Sequence, residues 1–180
     1  MKRALALFVL LVTFGAALVG SAGAVDASPA STERLVALDQ QILAGLNKTR
    51  LKHGLRPLAM SSELENAAVA HSKAMLDRGF FDHDTPGGAS FTVRVRGFYR
   101  SAGYVGWSVG ENLLYSTGRP TAGSAIAAWL ASPSHRETML TPTWRDVGIG
   151  SIRANAAGGR FNGAPTWVVT MDFGTRTGKA

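Results

Sequence analysis

The apolar residues of this chain change their period part-way along, and that change limits the folds open to it. From Thr32 to Leu140 they recur mostly at helical spacing, interrupted by one extended run from Tyr104 to Tyr115. From Val147 to Ile152 and from Thr166 to Phe173 they alternate as strands, joined by the Gly- and Asn-containing segment 155–165. No strand–helix–strand rhythm is present, so the order argues for an α+β domain with an antiparallel sheet.

The local signals sharpen this reading. Thr32 to His53 reads as a helix with Leu35, Leu38, Ile42, Leu43 and Leu46 on one face, ended by Gly54 in a left-handed position. Leu55 to Leu58 is an extended connector, because the residue before Pro57 is pushed out of the helical region. Ser62 and Glu65 are spaced as a capping box for a second helix, which Arg78-Gly79 ends. Ser90 to Arg100 and Thr121 to Ala131 read as further helices, the latter stopped by Pro133, and His135 to Leu140 adds another turn. The β-branched residues Val147, Ile149, Val168 and Thr170 place the last two strands inside the sheet.

The first two dozen residues follow a different logic. Lys2 and Arg3 precede an uncharged, mostly apolar run, Ala4 to Val19, and Ala22-Gly23-Ala24 has the small-x-small pattern of a signal-peptidase site. The expected organisation is a signal peptide over residues 1–24, a flexible segment over 25–34, one domain over 35–175 and a tail over 176–180. Secretion to the extracellular space or cell envelope follows, with peripheral, not integral, membrane association. The chain has no cysteine, which excludes thiol catalysis, thiolate metal sites and an acyl-cysteine anchor, and leaves stability to the core. Net charge is +7, or +5 once Lys2 and Arg3 are removed, which suits anionic surroundings such as wall polymer or lipid headgroups. The cations are scattered, and the densest run, Arg94-Val95-Arg96 with Arg100, fits one exposed helix face, so nucleic acid is not the expected partner.

Four histidines are available for chemistry. His53 lies at a helix end, where partial positive charge is favourable. His71 lies on an apolar stripe, where a packed histidine with one satisfied hydrogen bond is expected. His83 and His135 remain, each among turn-forming or small neighbours, as does Glu111 within Gly110-Glu111-Asn112. They are too far apart in sequence for a local ligand motif, so only tertiary structure can unite them. Ser134 beside His135 suggests a nucleophile and its base, but Ser-Pro-Ser is ordinary helix-start chemistry.

The succession FFDHDTPGG, GENLL, WLASPSHRETML, DVGIG and TWVVTMDFG resembles the CAP superfamily, the SCP-like extracellular domain of cysteine-rich secretory proteins, antigen 5 and pathogenesis-related 1 proteins, in its short bacterial branch. The resemblance runs from about Leu35 to Phe173. It implies an α-β-α sandwich around a twisted antiparallel sheet, with a cleft carrying two histidines and two acids. His83, Glu111 and His135 match three of the four. The fourth does not transfer, because Ser132 stands where relatives have a glutamate three residues after the residue matching Trp129. Glu137, Asp82 and Asp84 are candidates to replace it. Two histidines and a carboxylate can hold zinc or another divalent metal, with a position left for water. The same groups can instead form a metal-free polar cluster that pins helices to sheet. The resemblance implies a binding module for envelope polymer, lipid or sterol, with a metal-assisted hydrolase using Glu111 as base or a non-catalytic scaffold as alternatives.

Overall fold

The computed structural model describes residues 31–179. The expected signal peptide lies outside them. The chain runs β1 (Thr32–Arg34), α1 (Val36–Lys52), β2 (Ala59–Met60), α2 (Ser62–Arg78), α3 (Phe91–Phe98), β3 (Tyr104–Ser116), α4 (Ala122–Ala131), α5 (Pro133–Leu140), β4 (Asp146–Ala157) and β5 (Ala164–Lys179). The strands form one sheet in the order β1-β4-β5-β3, antiparallel along that path, and β2 adds to β4 in parallel. β4 and β5 are central, as their β-branched residues require.

Alternation along these two strands assigns each residue to a layer. Val147, Ile149, Val169, Met171 and Phe173 point to one face and are fully buried under α1, α4 and α5, against Ile42, Leu46, Trp129 and Met139. Each such side chain stabilises by about 1.5–3 kcal/mol relative to exposure. The intervening residues Gly148, Gly150, Thr170 and Asp172 point to the other face, which α2 and α3 cover. The result is an α-β-α sandwich.

The glycines of DVGIG are explained by contact with α2. A Cβ on Gly148 would lie 2.1 Å from the backbone of Leu64 and Glu65, and one on Gly150 would lie 2.4 Å from the Val69 nitrogen. Helix backbone thus rests directly on strand backbone. The Ser72 hydroxyl, 2.7 Å from the Gly150 carbonyl and 2.8 Å from Thr170 Oγ1, fastens the contact.

Several local expectations change under tertiary pairing. The helix expected from Thr32 begins only at Val36, because Thr32–Arg34 pairs with Ile152–Ala154 and the Leu35 N–H donates to Ser151 O at 2.9 Å. Residues 32–34 of the segment expected to be flexible are therefore an edge strand. The cap of α2 is Ser61, not Ser62. Its N–H is held by Val147 O at 2.9 Å, its hydroxyl accepts from Leu64 N–H at 3.4 Å, and Glu65 turns instead to Arg34. The final strand, expected to end at Phe173, continues to Lys179, because β3 pairs with it from Tyr104↔Lys179 to Ser116↔Trp167.

Candidate functional site

Gly110-Glu111-Asn112 lies on β3, the edge strand, and alternation sends its side chains to opposite layers. Asn112 faces the α5 side and donates from Nδ2 to the His135 carbonyl at 3.0 Å. Gly110 permits that approach, since a Cβ there would lie 2.8 Å from the Trp144 ring and 3.2 Å from Thr138 Cγ2. Glu111 faces the α2–α3 side. Its Oε1 lies 2.7 Å from His83 Nδ1, and its Oε2 accepts from Arg94 Nη2 at 2.5 Å. One tripeptide therefore clips both helical layers to the sheet edge.

The loop that carries His83 is built by its own turn residues. Gly79 adopts the left-handed conformation that ends α2, with φ of 66°. Asp82 Oδ1 accepts from the Asp84 N–H at 3.3 Å, and Asp84 Oδ1 accepts from the Phe91 N–H at 2.7 Å, tying the loop to the start of α3. His71, on the buried face of α2, meets the Asp82 carbonyl with Nε2 at 2.9 Å, as a packed histidine should. Its Nδ1 has no partner among the described residues.

Two members of the cluster carry no mark in the local pattern that assigns them to it. Arg94, read from the sequence as part of an exposed face, turns inward with its side chain 9% exposed, whereas Arg96, stacked over Trp107, and Arg100 are exposed as expected. Asp172 stands directly across from Glu111 in the β3–β5 register and is fully buried. Opposed residues bring their Cβ atoms to about 4.5–5.5 Å. Arg94 Nη1 lies 3.9 Å from Asp172 Oδ2, so one guanidinium faces both carboxyl groups. Asp172, not Glu137, Asp82 or Asp84, is the second acid beside Glu111; the last two cap the loop backbone. A charged residue inside the apolar run Val168 to Phe173 was the available signal for Asp172, and Arg94 had none.

The electrostatics follow from this packing. Burial raises the Glu111 carboxyl, but the His83 hydrogen bond and the Arg94 charge outweigh it and hold the group below its ordinary value. Burial, reinforced by the Glu111 charge, pushes Asp172 well above its ordinary value, with Arg94 opposing. The two carboxyl groups are thus pushed in opposite directions, Glu111 toward its charged form and Asp172 toward its neutral one. The hydrogen bond to Glu111 raises His83 against burial, whereas burial and the neighbouring His83 charge lower His135. Burial and Arg94 lower His71.

The structure brings His83 and Glu111 into contact and puts His135 within range of His83's charge. Ser134 Oγ lies 3.4 Å from Ser132 Oγ, and it has no hydrogen bond to His135 among the described residues. Both Glu111 oxygens are engaged, one of them by a cation. Among the described residues, no group of three His, Asp or Glu side chains is arranged to hold a metal. The donor set does not fit one ion ligated jointly by His83, Glu111 and His135.

The sandwich that carries this polar cluster at its sheet edge has counterparts among known proteins. The CAP description, cysteine-rich secretory protein family, matches residues 43–173. This chain is a CAP-family protein. It is 30% identical over 121 residues to the Bacillus subtilis (strain 168) protein YkwD, an alignment covering 67% of this chain and 44% of that one. The B. subtilis membrane protein YlbC is 30% identical over 116 residues, covering 64% of this chain and 32% of that one. This CAP chain therefore spans less than half the length of these curated relatives. A crystal structure of an extracellular SCP-domain protein from Bacillus anthracis str. Ames superposes with TM-score 0.60 at 25% identity, covering 77% of this chain and 40% of that one. An outer surface protein of Borrelia burgdorferi shares the fold, with TM-score 0.61 at 21% identity over 82% of this chain and all of that one.

Proposed function

We propose that this CAP domain is a binding module of the extracellular face or cell envelope, and that its cleft takes an anionic group, phosphate or carboxylate, of an envelope component. The observation that carries the reading is the orientation of Glu111. Its charge is spent inward on Arg94 and His83, so the outward groups are the half-exposed His83 ring, with Nε2 left over, and His135. The hydrogen bond to Glu111 raises His83 above its ordinary value, which favours the charged ring. The net charge of the chain has the matching sign. The extracellular and outer-surface character of the structural neighbours supports an external location. Among the described residues, no helix is long and apolar enough to cross a membrane.

A metal-assisted hydrolase would need an ion that the donor set does not fit. The test is sedimentation with isolated cell wall, with phosphatidylglycerol vesicles and with neutral phosphatidylcholine vesicles, at low and high salt. Binding to an anionic surface is expected to weaken steeply with salt and in His83→Ala. Equal binding at both salt concentrations refutes the anionic reading and favours an apolar ligand. No binding to any surface favours the scaffold alternative.

A further inference from the structure

We propose that Arg94 determines what this cleft accepts: its guanidinium fills the cation position between Glu111 and Asp172, so the cleft takes an anion and excludes a metal ion. The inference rests on the reading of the cleft as an anion site, and it makes a claim about cations that can be tested separately.

Arg94 is fixed where an ion would have to sit. It reaches Glu111 Oε2 at 2.5 Å, lies 3.9 Å from Asp172 Oδ2, meets the His83 carbonyl at 3.4 Å and rests with its guanidinium carbon 5.6 Å from the centre of the Phe91 ring. Two carboxyl groups opposed on neighbouring strands need a compensating positive charge, and a divalent cation is one way to supply it. Here the positive charge is supplied covalently. A second cation would have to displace the guanidinium or sit against it with little water between them. Removal of Arg94 would leave the Glu111 and Asp172 carboxyl groups without their cation, near His71, whose Nδ1 already lacks a partner among the described residues. His83 and His135 remain at the rim. With the guanidinium gone, the uncompensated Glu111 carboxylate and the His83 ring beside it are the groups an ion would approach.

The decisive measurement is calorimetric zinc titration of the parent, Arg94→Lys, Arg94→Gln and the double variant Arg94→Gln/His83→Ala, each checked for folding by circular dichroism. The parent and Arg94→Lys, which keeps the charge, are expected to show no saturable binding. Arg94→Gln is expected to gain saturable binding that exceeds the parent by at least about 10- to 100-fold, the scale on which neighbouring groups tune metal sites. The double variant should lose that gain. A folded Arg94→Gln protein that binds zinc no better than the parent overturns the proposal, as does saturable binding by the parent that Glu111→Gln abolishes. Should Arg94→Gln fail to fold, NMR of the parent decides alone: with equimolar zinc the His83 and His135 imidazole signals are expected to stay unchanged, and their loss overturns the proposal. Wall and vesicle binding of the parent reports on the anion site independently, so its failure would sink the functional reading and leave the zinc result to judge Arg94.

Discussion

Asp39 and Glu111 are buried carboxylates on opposite faces of the same sheet, and their acidities move in opposite directions. Asp39 is on α1, over the apolar face, and accepts the Ser151 N–H at 2.8 Å with Arg34 at 3.5 Å as its nearest cation. Burial dominates there and pushes it up to about 6. Glu111, over the face covered by α2 and α3, has Arg94 and His83 in direct contact and moves down. Burial is common to both sites, so the proximity and number of cationic partners decide the outcome. The packing around them differs in the same way. The face under α1, α4 and α5 is held by one large apolar cluster, whereas the other splits its apolar packing into two smaller clusters around bare glycine contact with α2 and polar connections, and the chemistry collects on the second.

The largest expected effects test that division of labour. Phe173→Ala removes a fully buried ring from the apolar face and is expected to cost about 3–5 kcal/mol in urea unfolding. On the opposite face Gly148→Ala adds one methyl, yet should cost about 3 kcal/mol, because backbone atoms 2.1 Å from its Cβ cannot yield cheaply. A Gly148→Ala protein as stable as the parent would show that α2 does not rest on β4 as described.

Glu111→Gln strips the largely buried Arg94 of its closest partner and is expected to cost about 3 kcal/mol, the low end for a buried pair because Arg94 still reaches the His83 carbonyl and faces Asp172. It should also return the His83 titration toward an ordinary histidine, measured by NMR. Asp39 extends the contrast through pH. Its folded value lies above its unfolded one, so its contribution is fully present below about pH 4 and is lost as pH rises through about 6. Asp39→Asn is therefore expected to remove a decline of about 3 kcal/mol across that window, and identical pH–stability curves for parent and variant would disprove the assignment. Smallest of all is Asp172→Asn. Asparagine resembles the protonated acid, so a change under about 1 kcal/mol at neutral pH and an unmoved His83 titration are expected. A loss as large as that of Glu111→Gln would show that Asp172 carries the charge instead.

Much of this architecture is readable from residues alone. The helical and alternating periods mark nearly every element, Gly79 announces the end of α2, and the Gly110-Glu111-Asn112 tripeptide and His83 stand out among turn-forming neighbours. These signals are local, arising from φ preferences, side-chain period and capping, and neighbouring residues suffice to express them. The beginning of the chain's first helix, the cap at Ser61 and the full length of β5 differ from the local reading because each depends on a backbone hydrogen bond to a distant strand. Arg94 and Asp172 escape it for a related reason. Whether an arginine on an amphipathic helix points out or in depends on what lies beneath it, and that is settled only when the β3–β5 register sets Asp172 opposite Glu111. Residue order and period were enough to specify the α+β class, the succession of elements and two histidines and a glutamate worth uniting. Which charges meet was left to the fold, because electrostatic contact depends on distance through space and strand register carries that information between segments far apart in the chain.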